Sequence, residues 1–126
     1  RHAPGDTQDV LARFITGGHL LRHLRRMREL YLQRQHVLIE AVAKASHGQL
    51  VLQPSEQGMH LLHELPAGAD DQTLSAQAQE AGILLAPLSR YTMASQRRGW
   101  LFGYAGYDTV ALRRASAIFG KLLLNK

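Results

Sequence analysis

From Asp6 to about Ala45 the sequence keeps one rhythm, and that rhythm limits what the chain can become. Leu20, Leu24, Met27, Tyr31 and Leu38 recur at steps of three, four or seven. Such spacing lines up apolar side chains on one face of a helix. Arg22, Arg25, Arg26 and Glu29 fall on the other faces. Gly17-Gly18 interrupts the pattern, so a break or kink is expected there. The earlier apolar residues Val10, Leu11, Phe14 and Ile15 then belong to a different structural unit. Gly48 is the expected stop of the long helix.

The rest of the chain alternates in type. Gln49–Gln53 is short, with apolar residues between polar ends, and 54–58 has the composition of a turn. Met59–Leu65 follows as a strand, so the two segments predict a β-hairpin. Asp70 or Asp71 is placed to cap a short helix carrying Leu74, Ala78 and Ala81, with Gly82 closing it. Ile83–Ala86 reads as a buried strand ended by Pro87, Leu88–Gly99 as irregular, and Trp100–Tyr104 as another strand. Asp108 or Thr109 opens a last helix through Leu124, with Ala111, Ala115, Ile118 and Leu122 on one side. The expected fold class is α+β, in the order αββαββα: a small, mostly antiparallel sheet with helices packed on one face.

Length and composition suit one soluble domain. The chain has 126 residues, 45% of them hydrophobic and 20% charged. It has no cysteine, which removes disulfides and Cys-type zinc sites and fits a reducing compartment, with the cytoplasm as the expected location. No apolar run approaches the ~20 residues that a membrane helix needs. Arg1–Asp6 has no apolar signal core and no initiator Met, and the chain reads as a piece of a longer protein. The formal charge of +5 is unevenly spread. Arg13, Arg22, Arg25, Arg26, Arg28 and Arg34 crowd one stretch, while Glu56, Glu64, Asp70, Asp71 and Glu80 hold the middle.

Few constellations suggest chemistry. The arginine cluster could contact phosphates, but the same helix commits a face to a core, so a solvated or interdomain face is the simpler reading. His19 and His23 have metal-ligand spacing without a third ligand. His60 and His63 fall on opposite faces of their strand. There is no G-x-S-x-G elbow, P-loop or G-x-G-x-x-G pattern. Lys44, Lys121 and Lys126 are the only lysines, and each reads as a solvated surface residue, so no covalent Schiff base is expected on this chain. No metal site and no catalytic residue is expected either. The loop Pro87-Leu88-Ser89-Arg90-Tyr91 gathers a hydroxyl, a guanidinium and a phenol after a buried strand. Ser89, Arg90 and Tyr91 are therefore the candidate ligand contacts, beside the plainer reading of a surface loop with an ordinary polar mix.

Four ordered motifs carry a family resemblance. Gly18-His19-Leu20-Leu21-Arg22-His23-Leu24-Arg25-Arg26-Met27-Arg28, followed by Tyr31 and Arg34, resembles the helix that opens the small lobe of MocR-type regulators. These are GntR-family transcription factors fused to an aminotransferase-like domain of fold type I. Gly58-Met59-His60-Leu61 resembles their next strand. Gly82-Ile83 through Pro87-Leu88-Ser89-Arg90-Tyr91 resembles their strand and P-L-S-x-Y loop. Gly99-Trp100-Leu101-Phe102-Gly103-Tyr104-Ala105-Gly106 resembles their later glycine-flanked strand.

The resemblance implies a larger protein. It would contain a winged-helix DNA-binding domain, a linker and a larger lobe bearing the pyridoxal phosphate lysine. Residues 1–17 would be an interdomain helix or the tail of that larger lobe, and 18–126 the small C-terminal subdomain. The partners implied are the larger lobe of the same chain, a second copy in a homodimer, and a small amine or amino-acid-like effector. DNA would be reached only through the winged helix, and no membrane contact is expected. One departure bears on function. Aminotransferases usually place a carboxylate-binding arginine on the strand aligned with Trp100–Tyr104, and Leu101 falls at that position. An apolar side chain cannot make the bidentate contact of a guanidinium, although Arg90, Arg97 or Arg98 could substitute. The expected role is effector sensing. The alternatives are the small lobe of a true class I aminotransferase and a free-standing interaction module.

Overall fold

The computed structural model describes residues 18–56, 59–83, 85–92 and 94–125. The expected interdomain segment 1–17, with the Gly17 break, lies outside the described residues. So do Gly58 of the second motif, Leu84 and Lys126.

The chain divides between Leu30 and Tyr31 into two units. The described part of the first is the leading portion of helix α1 (His19–Ala45). Gly18 precedes it at φ +76°, and its carbonyl accepts the Arg22 amide at 3.0 Å. On this portion Leu24, placed on the apolar face by its spacing, is 53% exposed.

The second unit holds the core. Its α1 residues Val37, Leu38 and Val42 are buried, with Tyr31 and Ile39 packed against them. The helix ends as Gly48 predicts. Gly48 stands at φ +78° and its amide reaches back to the Ala43 carbonyl at 2.8 Å, a closure that a left-handed glycine makes without strain.

Strands β1 (His60–Leu65), β2 (Leu85–Pro87) and β3 (Arg98–Gly103) form one sheet in the order β1-β3-β2, with both pairings antiparallel. Helix α2 (Thr73–Glu80) separates β1 from β2. A 3₁₀ turn, Leu88–Arg90, follows β2, and α3 (Thr109–Leu124) ends the described chain. Pro87 sits in an edge strand, where a missing amide does little harm. Asp108 caps α3 as expected: its Oδ1 accepts the Ala111 amide at 2.8 Å.

The α+β class is observed, but the order is αβαββα and not the expected αββαββα. Gln49–Gln53 is not a strand, and no hairpin forms with β1, whose described partner is β3. The reason lies in where its backbone groups go. The Leu50 amide donates to Ser46 Oγ at 3.0 Å. The Ser55 amide donates to Gln35 Oε1, and the Ser55 carbonyl accepts from Gln35 Nε2. Leu50 and Leu52 are buried while Val51 is exposed. Burial alternates as in a strand, yet side chains take the Leu50 amide and both backbone groups of Ser55.

The period of two divides the sheet into two faces. Leu61, His63, Leu65, Leu85, Trp100 and Phe102 share the face that meets the helices. There Phe119 of α3 stands edge-on to Phe102, with centroids 5.2 Å apart, and to Trp100 at 5.9 Å. Such edge-to-face contacts add to the area they bury. On the other face Leu62, Leu101 and Ala86 form one row across the three strands.

Candidate functional site

Two features answer to the candidate site: the sheet face opposite the aromatic core, and the turn that leaves β2. Leu101 is the middle residue of the row on that face, between Leu62 of β1 and Ala86 of β2. Leu62 is 37% exposed, and Leu101 and Ala86 are half-buried. The row thus places an apolar residue at the centre of that face.

The turn is held by Asp71, which lies in the short loop before α2 and is 1% exposed. Its Oδ2 accepts the Ser89 amide at 2.9 Å and the Gly99 amide at 3.1 Å, and its Oδ1 accepts the Ser89 hydroxyl at 2.6 Å. Its own carbonyl accepts Trp100 Nε1 at 3.1 Å. Burial pushes this carboxyl upward, but the bonds from Ser89 and Gly99 and the nearby Arg98 outweigh it, so its pKa lies below the usual value. One buried carboxylate therefore joins the loop before α2, the turn after β2 and the start of β3. The other candidate cap, Asp70, serves α2: its Oδ1 accepts the Gln72 and Thr73 amides.

The three predicted contacts are treated differently. Ser89 is half-buried and committed to Asp71. Arg90 is exposed and borders a shallow depression of about 320 Å³ beside α2, with Gln72, Ser75 and Gln79. Among the described residues it makes no ion pair. Tyr91 is 63% exposed. Of the other arginines, Arg97 grips Glu64 with two bonds of 3.1 Å, Nε to Oε2 and Nη2 to Oε1. Arg98 donates to the carbonyls of Ser95 and Arg97. Among the described residues Arg90 is thus the one of these three arginines without such a bond.

Two features escaped the sequence reading. Gln35 is buried, and its Nε2 donates to both the Ser55 carbonyl and Tyr104 Oη. Its signal was a polar residue on the apolar stripe, four after Tyr31 and three before Leu38. Beside it, Arg34 Nη1 donates to the Ala105 carbonyl at 2.6 Å, fastening the loop after β3 to α1. Gly99 has a steric role. A Cβ there would lie 2.5 Å from the His63 carbonyl oxygen, so β1 and β3 approach only over a glycine.

Among the described residues no three His, Cys, Asp or Glu side chains gather for a metal ion, and His19 Nδ1 bonds Arg22 Nη2 at 2.9 Å. Lys44 and Lys121 stand exposed on the helical layer, away from the free sheet face. An exposed ammonium there lacks the desolvation that activates a Schiff-base lysine, so pyridoxal phosphate does not fit these two described lysines.

No family model matches the chain. Curated relatives do. The "Probable rhizopine catabolism regulatory protein MocR" of Rhizobium meliloti is 36% identical over 107 residues, 84% of this chain and 22% of that protein. The chain belongs to the MocR-type regulators. Two HTH-type transcriptional regulators of Bacillus subtilis (strain 168) agree: YhdI is 30% identical and YdeL 25%, each over 108 residues, 85% of this chain and 23% of the relative. The MocR-type segment thus spans less than a quarter of the length of these relatives. No helix among its described residues is long and apolar enough to cross a membrane.

Proposed function

We infer that this chain is the effector-sensing C-terminal subdomain of a DNA-binding transcription regulator related to pyridoxal phosphate proteins, and that it has no catalytic activity alone. The observation that carries this reading is Leu101 at the centre of the free sheet face. A site built for α-amino-acid transamination needs a guanidinium aimed at the substrate carboxylate, and this face offers an isobutyl group.

In this reading residues 18–126 form the subdomain and 1–17 its connection to the larger lobe. The larger lobe of the parent covers the row Leu62–Leu101–Ala86 and supplies the cofactor lysine. The turn Ser89–Arg90–Tyr91 contacts an amine or amino-acid-like effector. Arg90 and Tyr91 reach the ligand, while Ser89, held by Asp71, sets the turn. The parent acts in the cytoplasm as a homodimer and meets DNA through a winged-helix domain.

The test uses the full-length parent. Its DNA affinity is followed by fluorescence anisotropy during titration with a panel of amines and amino acids, and amino-group transfer is assayed in parallel. The expected result is a ligand-dependent change in DNA affinity without sustained turnover, weakened roughly tenfold by Arg90→Ala, as for a lost charge-assisted contact. Sustained turnover of an amino donor, or DNA affinity indifferent to every ligand, overturns the reading.

A further inference from the structure

The helical layer carries a second concavity that the sensing role does not use. It is a groove of about 570 Å³ between the last turns of α1 and helix α3. Helix periodicity builds its walls. Val37, Ala41 and Ala45 recur at intervals of four on α1, and Arg113, Ala117 and Lys121 do so on α3. The two helices meet closely beside it. A Cβ on Gly120 would run into the Ala45 carbonyl oxygen. With alanines on both walls, the space next to this crossing stays open.

The groove is charged on one side of the balance. Lys44, Arg113 and Lys121 are exposed along it, and among the described residues none of them forms an ion pair. His47 stands at the same rim. The one acid in the lining, Glu40, has His36 Nε2 3.1 Å from its Oε1. Arg113 and Lys121 are two turns apart, about 12 Å along the axis. A single carboxylate cannot reach both. The lining therefore asks for several anions spread over two turns, with apolar surface between them. The small side chains leave room for a second backbone to come close.

We propose that this groove docks an acidic amphipathic helix of a partner protein. The partner lays a stripe of small apolar residues against Ala41, Ala45 and Ala117. Its Glu or Asp residues, two turns apart, meet Arg113 and Lys121, with Lys44 on the opposite wall. This is helix-in-groove recognition with charge setting the register.

Fluorescence anisotropy of the full chain tests it with a labelled helical peptide of about 18 residues, long enough to hold a helix. The peptide carries Glu along both edges of a Leu/Ala stripe, and a control carries Gln at those positions. The acidic peptide is expected to bind saturably, at least about tenfold more tightly than the control. Combining Arg113→Glu with Lys121→Glu should abolish that preference and confer binding of a Lys-for-Glu peptide. Lys44→Glu, on the other helix, should weaken binding independently. Arg25→Glu with Arg28→Glu, neither of which lines the groove, should change nothing. Circular dichroism checks that each variant is folded. Equal binding of acidic and neutral peptides, or full binding to the folded charge-reversed chain, overturns the proposal. So does saturable binding of dodecanoate without binding of the acidic peptide, which would make the groove a site for a small amphiphile.

Discussion

Asp71 and Ser89 are joined twice, the Ser89 amide to one carboxylate oxygen and its hydroxyl to the other, at 2.9 and 2.6 Å. The pair closes the turn after β2 against the loop before α2. Because Asp71 is buried, the carboxylate has no water to fall back on. Removing it leaves the Ser89 and Gly99 amides without their acceptor.

Asp71→Ala is therefore expected to lower stability by about 3 kcal/mol, the scale for losing hydrogen bonds to a buried charged acceptor. Urea unfolding at neutral pH checks it. The pH dependence has a definite sign. The folded-state pKa of Asp71 is lowered by its hydrogen bonds, so its contribution is complete above the unfolded carboxylate value of about 3.9. It is lost as pH falls through the lower folded value. Asp71→Asn should flatten stability against pH in that acid window only.

His63 adds a second pH effect nearer neutrality. It lies over Trp100 with centroids 6.0 Å apart and planes 19° from parallel, and burial lowers its pKa. The unfolded chain then takes up this proton first. Stability is complete above about pH 6.5 and falls as pH drops through that value toward the folded one. His63→Phe keeps a ring over Trp100 and should reduce the loss in Tm between about pH 7.5 and 5.5. An unchanged loss would remove His63 as its source.

Gly120→Ala should destabilise the domain, by about 1–3 kcal/mol, because its Cβ would meet backbone that cannot swing aside. The contact is with the Ala45 carbonyl at the end of α1. A second substitution, Ala45→Gly, removes one neighbouring methyl but leaves that oxygen in place, so it should not rescue the first. Thermal unfolding of the two single variants and the double variant decides it.

Ser116→Ala should act the other way. Ser116 Oγ is buried and has no hydrogen-bond partner among the described residues, in a cleft lined by Leu38, Val42, Phe102 and Phe119. Deleting an unsatisfied hydroxyl removes its desolvation cost, and a gain of about 1 kcal/mol is expected. A loss in urea unfolding would mean that the hydroxyl is solvated in solution.

Much of the fold could be read locally. The stop at Gly48, the closure of α2 at Gly82 and the Asp108 cap of α3 each depend on a few adjacent residues, and each is found. The site was legible in part. The family motifs marked the turn Leu88–Tyr91 and the strand holding Leu101. They did not reveal that Ser89 is spent on Asp71, since eighteen residues separate the two. Nor did they show that Arg97 is held by Glu64, a partner thirty-three residues away.

Leu50 and Leu52 mark the boundary between the two kinds of information. The apolar run Leu50-Val51-Leu52 between two glutamines was written in the sequence, while the burial of Leu50 and Leu52 with Val51 exposed belongs to the fold. Helical periods, caps and left-handed glycines are local, so the sequence alone determined them. The choice of ladder partner is not local. β3 takes β1 on one side and β2 on the other, while the Leu50 amide goes to Ser46 and the Ser55 amide and carbonyl go to Gln35. Only the tertiary structure decided that, because each extended segment competes for the same backbone partners and the winner depends on how the helices already pack.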